Sequence, residues 1–87
     1  MRGQIFSQFL RNNNSMKEFN KENFYKNFKE LRTTRNLSQP AFASLLNTTK
    51  DVVSNIENKR SEPSLDLLLK ICEEFDLTPN ELFSDYL

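Results

Sequence analysis

Between Thr49 and Arg60 the chain sets short polar side chains at helical spacing. At about 100° per residue, Lys50, Asp51, Ser54, Asn55 and Asn58 fall within roughly 140° of one another, with Val52, Val53 and Ile56 on the opposite side. These polar groups are hydrogen-bond donors and acceptors. Lys50 can donate to guanine O6 and N7 or to a phosphate, Asn55 can pair bidentately with adenine N6 and N7, and Ser54 can do either more weakly. Asp51 can accept from cytosine N4 or cap the free N–H groups of its own helix, and capping suits an acid beside phosphates better. Asn58, Lys59 and Arg60 come at the helix end, where contacts to a phosphate backbone would give affinity and register rather than sequence choice. A merely solvated helix face gives the same pattern, so the helix alone does not decide.

Composition removes most other chemistry. The chain has 87 residues and no His, which excludes a Ser-His-Asp or Cys-His mechanism. One Cys, Cys72, permits neither an internal disulfide nor a zinc site, which wants about four N or S ligands. The single Gly, Gly3, leaves no glycine-rich loop to cradle a phosphate. No apolar run approaches the roughly 18 residues of a membrane helix, and residues 1–15 lack the apolar core of a signal peptide. The expectation is a soluble protein of a reducing compartment that is not an enzyme and carries no metal or cofactor. Net charge is zero but unevenly spread: residues 1–36 carry +5, residues 37–60 carry +1 and residues 61–87 carry −6. A basic N-terminal half can approach a polyanion while an acidic C-terminal part faces away.

The elements that position these groups are helical. There is no sustained alternation and no Asn-Gly or Asp-Gly turn, so strands are not expected. Ser15 with Glu18 fits a capping box that places a helix start near Met16, and Phe24, Phe28 and Leu31 form the buried stripe of a firmer helix ending near Arg35-Asn36. Ser38 caps a short helix with Pro40 in its first turn and Phe42, Ala43, Leu45 and Leu46 inward. Asn47 punctuates, and Thr49 caps the next helix through about Asn58. Ser64 caps a fourth helix with Leu65, Leu68, Ile71, Cys72 and Phe75 inward, Cys72 serving as a small core residue. Thr78-Pro79-Asn80-Glu81 combines a capping box with Pro at the first helical position and starts a last short helix holding Leu82 and Phe83. The fold class is all-α, with five helices in residues 21–87 and an N-terminal extension over residues 1–20.

Two helices at about 38–46 and 49–58, joined by roughly three residues, make a helix-turn-helix, whose second helix enters the DNA major groove. Leu37-Ser38-Gln39, Phe42-Ala43, Val53-Ser54-Asn55-Ile56-Glu57-Asn58 and Glu62-Pro63-Ser64-Leu65, in that order and at those intervals, resemble the phage-repressor/Cro-like (XRE-type) helix-turn-helix family. The similarity runs from about Phe24 to Phe83. It implies a five-helix lambda-repressor-like domain that binds double-stranded DNA, regulates transcription, usually as a repressor, and forms a homodimer on a palindromic operator. It implies a cytoplasmic, nucleoid-associated protein of a bacterium or phage. By that resemblance Gln39 matches a position that hydrogen-bonds a phosphate, and Arg32 and Glu57 match a partly buried ion pair between the first and third helices. The DNA-facing set is then Gln39, Thr49, Lys50, Asp51, Ser54, Asn55, Asn58, Lys59 and Arg60. The sequence departs from the family where Pro40-Ala41 replaces a first-turn Glu, and where Asn47 and Lys59 stand in for glycines. An antitoxin-like protein-interaction module on the same fold is the alternative. Ile5, Phe6, Phe9 and Leu10 could serve a partner contact or a loosely packed extension, and Leu82, Phe83, Tyr86 and Leu87 are the candidates for a dimer contact.

Overall fold

A computed structural model describes residues 20–85. Its five helices are, in chain order, α1 (Lys21–Thr33), α2 (Gln39–Leu45), α3 (Lys50–Glu57), α4 (Leu65–Phe75) and α5 (Pro79–Phe83), with no strand among the described residues. This is the all-α architecture expected from the sequence. Each helix starts where a side-chain oxygen accepts a backbone N–H that has no partner inside the helix. Asn20 Oδ1 accepts from Asn23 N at 2.9 Å, Ser38 Oγ from Ala41 N at 3.1 Å, Thr49 Oγ1 from Val52 N at 3.2 Å and Ser64 Oγ from Leu67 N at 3.1 Å. Thr78 and Glu81 close a reciprocal capping box around Pro79. The helix start at Met16, with its Ser15–Glu18 box, lies outside the described residues, as do Ile5, Phe6, Phe9, Leu10, Tyr86 and Leu87.

The helix ends need a left-handed residue, and no glycine is there to supply it. Asn36 (φ 57°), Asn47 (φ 57°), Lys59 (φ 61°) and Asp76 (φ 55°) take that conformation after α1, α2, α3 and α4. Asn and Asp tolerate it, because their short polar side chains bond locally; a lysine has no such relief. At Asn47 the Thr48 N–H donates to Ala43 O at 2.9 Å and the Asn47 N–H to Ser44 O at 3.2 Å, the pair of bonds that defines a Schellman end. The pattern recurs after α3, with Arg60 N on Asn55 O at 2.8 Å and Lys59 N on Ile56 O at 2.9 Å.

The core joins Phe24, Phe28 and Leu31 of α1 to Phe42 and Leu46, Val53 and Ile56, Leu67 and Ile71, and Leu82 of α5. Aromatic contacts run through it: Phe24 stacks on Phe83 (centroids 5.3 Å apart), Phe28 meets Phe42 edge-on (5.2 Å), and Phe42 packs on Phe75 (5.9 Å). Such pairs add about 0.5–1.5 kcal/mol each beyond the area they bury. Leu82 is therefore a core residue, and Phe83 is half-buried against the core. On the fourth helix Ile71 is buried and Leu68, Cys72 and Phe75 pack against the core as expected, but its first turn differs. Leu67 is buried, while Leu65, expected inward, is 70% exposed. Leu45, expected in the α2 stripe, is likewise an exposed residue. Asn27 sits among the core residues, fully buried, and its Nδ2 donates to Leu82 O (2.8 Å) and Ser84 O (2.7 Å), tying α1 to α5 and the chain after it.

Candidate nucleic-acid interface

The interface begins with how α3 is held. Val53 and Ile56 have no exposed surface, and Val52 packs against the same core, so one side of α3 is anchored. The Asn47 turn brings α2 against α3. At the far end Glu57 joins three elements. Arg32 of α1 grips it bidentately, Nε to Oε2 at 2.6 Å and Nη2 to Oε1 at 2.9 Å, while Nη1 donates to Leu37 O at 3.0 Å. Gln39, the first residue of α2, donates its Nε2 to Glu57 Oε1 at 3.0 Å. The two charged side chains retain 15% and 5% of their exposure. Burial pushes the Glu57 carboxyl up, but hydrogen bonds from Arg32 and then Gln39, with the charges of Arg32 and Lys29, outweigh it and hold the group below the usual carboxylate range. Arg32 is raised by its hydrogen bond to Glu57, against the lowering effect of burial. The cluster fixes the angle of α3 to α1 and α2; as a partly buried pair it is a better orienting device than a source of stability.

The outer side of α3 carries the expected polar groups. Lys50 and Asp51 are exposed in its first turn, and Lys50 has no ion pair among the described residues. Thr49 does the capping, so Asp51 is left to interact with the positive N-terminal end of the helix, where an acid is favoured. Ser54 and Asn55 are half-buried, and Asn58, the C-cap, donates its Nδ2 to Ser54 O at 2.9 Å and lies 3.4 Å from Ser54 Oγ. Arg60 lies against the same side, its Nη1 donating to Asn55 Oδ1 at 3.1 Å. Lys59 goes elsewhere. Its ammonium is 2.5 Å from Glu22 Oε1 and 6.0 Å from the Tyr25 ring, both on α1, so the structure does not bring it beside Lys50 and Asn55. A second exposed pair, Lys21 with Glu62, straps the loop after α3 to the start of α1.

Three interactions lie beyond the sequence expectations. The Gln39–Glu57 bond depends on the approach of α2 to α3, which no local spacing reveals. The Arg60–Asn55 bond depends on a left-handed turn at a lysine. Asn27 does carry a signal: it lies between Phe24 and Leu31 on the apolar stripe of α1, where a polar residue must find partners.

Two short helices in a tight left-handed turn, the second with one side anchored and the other polar, define a helix-turn-helix domain. A helix-turn-helix family model matches residues 28–82, and the chain belongs to that family, the XRE/Cro/C1 type of DNA-binding regulators. Comparison with curated proteins and with solved structures yields no match for it. The family is a DNA-binding one and not enzymatic. No helix among the described residues is long and apolar enough to cross a membrane.

Proposed function

We propose that the chain is a sequence-specific transcriptional repressor that binds a palindromic operator as a homodimer, with α3 in the major groove. The observation that carries this is the anchored recognition helix: Val53 and Ile56 are buried and Glu57 is clamped, while Lys50, Ser54 and Asn55 stand on the outward side. In this reading Lys50, Ser54 and Asn55 meet base edges, while Thr49 and Asp51 shape the start of α3. Asn58 and Arg60 flank the site, and Gln39 approaches the phosphates from the start of α2. Lys59 contributes through the backbone turn it makes, while its ammonium is held on α1 by Glu22.

The test is selection of bound duplexes from random DNA. A dimer of this kind should enrich two inverted half-sites with centres about 10–10.5 bp apart. A single unpaired half-site would remove the dimer, and no enriched sequence would remove the function. A second reading, an antitoxin-like protein-interaction module, is favoured by one observation: Leu65 and Leu69, one turn apart on α4, are 70% and 57% exposed. Capture of a folded partner through α4 without any enriched DNA would support it.

A further inference from the structure

We propose that Asn55 and Arg60 form one recognition head that reads guanine, with Arg60 as a positioning and specificity-determining residue. The inference deepens the DNA-binding reading and rests on it. An isolated asparagine can rotate its carboxamide by half a turn and present either its oxygen or its nitrogen to a base. Here the choice is made. The Arg60 guanidinium donates to Asn55 Oδ1 at 3.1 Å. Flipping the amide would set Nδ2–H against N–H, donor against donor.

The backbone supports the same contact independently. The Arg60 N–H donates to Asn55 O at 2.8 Å, and Lys59, with φ 61°, turns the chain back so that Arg60 lies along the last turn of α3. Lys59 is in turn tied to Glu22, which holds that turn against α1. Arg60 is thus placed beside Asn55 by the hydrogen-bonded backbone turn, apart from any contact of its side chain.

The consequence is chemical. One lone pair of Oδ1 is taken by Arg60, and the edge the two side chains present together is led by donors: Asn55 Nδ2–H and the remaining Arg60 N–H groups. Two neighbouring donors fit two neighbouring acceptors. In the major groove guanine offers that pair at O6 and N7, whereas adenine requires one acceptor opposite its N6 amino group. The Arg60 guanidinium beside Oδ1 would face the adenine N6 amino group donor against donor, which turns the pair away from the adenine pairing of an isolated asparagine and toward guanine. Arg60 acts through Asn55 and alongside it, rather than as a phosphate contact alone.

The experiment measures affinity for the selected duplex and for all four bases at each position of the half-site. It compares wild type, Asn55→Ala, Arg60→Ala, Arg60→Gln and the Asn55→Ala/Arg60→Ala double variant, with folding of each checked by circular dichroism. Guanine is expected at one pair in each half-site, preferred by about tenfold or more. Arg60→Ala should cut that preference to within about twofold, Asn55→Ala should leave a reduced guanine preference through the Arg60 donors, and the double variant should keep none. Arg60→Gln keeps a donor but loses the charge, so it should hold the guanine preference while weakening all sequences together. In the free protein, Arg60→Ala should shift the Asn55 side-chain amide resonance. The proposal is overturned if Arg60→Ala weakens every duplex by the same factor, if adenine is preferred at that pair, or if the Asn55 resonance does not move. If no duplex is enriched for wild type, or Asn55→Ala alters no preference, the DNA reading by α3 fails as well.

Discussion

Removing Arg32 should weaken the fold far more than an ordinary surface change. In Arg32→Ala the Glu57 side chain, only 5% exposed, keeps a single donor, the Gln39 amide. Breaking a buried ion pair from one side costs about 3–5 kcal/mol, because the remaining charge is left without compensation. Arg32 itself retains 15% exposure, so water reaches the site in part and the lower end, about 3 kcal/mol, applies. Glu57→Ala should cost less, about 2 kcal/mol, since the freed guanidinium can keep its bond to Leu37 O and turn toward water. For a domain of this size each kcal/mol moves Tm by about 4–8 °C, so Arg32→Ala should melt at least about 12 °C below wild type. The double variant should lose about 3 kcal/mol, well under the sum of the singles, which is a coupling of roughly 2 kcal/mol. Chemical denaturation of the four proteins reads it directly. Losses that add to within about 0.5 kcal/mol would mean that the pair is not coupled.

The remaining expectations concern the same framework. Because the folded state holds the Glu57 carboxyl below its ordinary value of about 4.3, its contribution is present above that pH and is lost as pH falls through the folded value. The stability gap between wild type and Glu57→Gln should therefore shrink below about pH 4, and a gap that stays constant down to about pH 2 would contradict the clamp. Lys59→Gly and Lys59→Ala both lose the Glu22 pair, but only Gly relieves the left-handed backbone, so Gly should be the more stable of the two by about 1 kcal/mol. Equal stabilities would contradict that conformation in solution. Asn27→Ala leaves the carbonyls of Leu82 and Ser84 without their buried donor and should cost about 2 kcal/mol, with hydrogen exchange in α5 accelerating first. Unchanged exchange in α5 would show that Asn27 does not hold it.

The helix starts are legible because capping chemistry is local. Ser38, Thr49, Ser64 and Thr78 announce themselves by residue type and by the pattern of the next three positions. Asn20 is less conspicuous than Ser15, since Asn23 stands where a capping box would carry Glu or Gln, although an asparagine alone is a good cap. Along α4 the expected face holds at Leu68, Ile71, Cys72 and Phe75, while Leu65 and Leu67 exchange places for a geometric reason. Leu65, Leu67, Leu68 and Leu69 cover more than a full turn, so the periodicity does not say which leucine faces inward. Leu45 and Leu46 present the same ambiguity on a smaller scale. Only packing against the rest of the core resolves it. At the interface, the polar side of α3 is readable from spacing, while Arg32 and Glu57 are suggested by family resemblance rather than by any local pattern. The partners of Gln39, Lys59 and Arg60 require the three-dimensional approach of α2, α1 and the turn after α3.

The central claim, that α3 reads the sequence of a DNA duplex, is tested most directly by one titration. Affinity is measured for the selected duplex and for a scrambled duplex of the same composition, each at salt concentrations from about 50 to 200 mM. The selected duplex should bind at least about 10³-fold more tightly than the scrambled one at physiological salt. Affinity for both should fall linearly on a logarithmic salt axis, by about 0.9 in slope for each phosphate neutralised. Equal affinity for the two duplexes at every salt concentration would contradict sequence reading by α3, and affinity unchanged by salt would contradict DNA binding through Lys50 and Arg60.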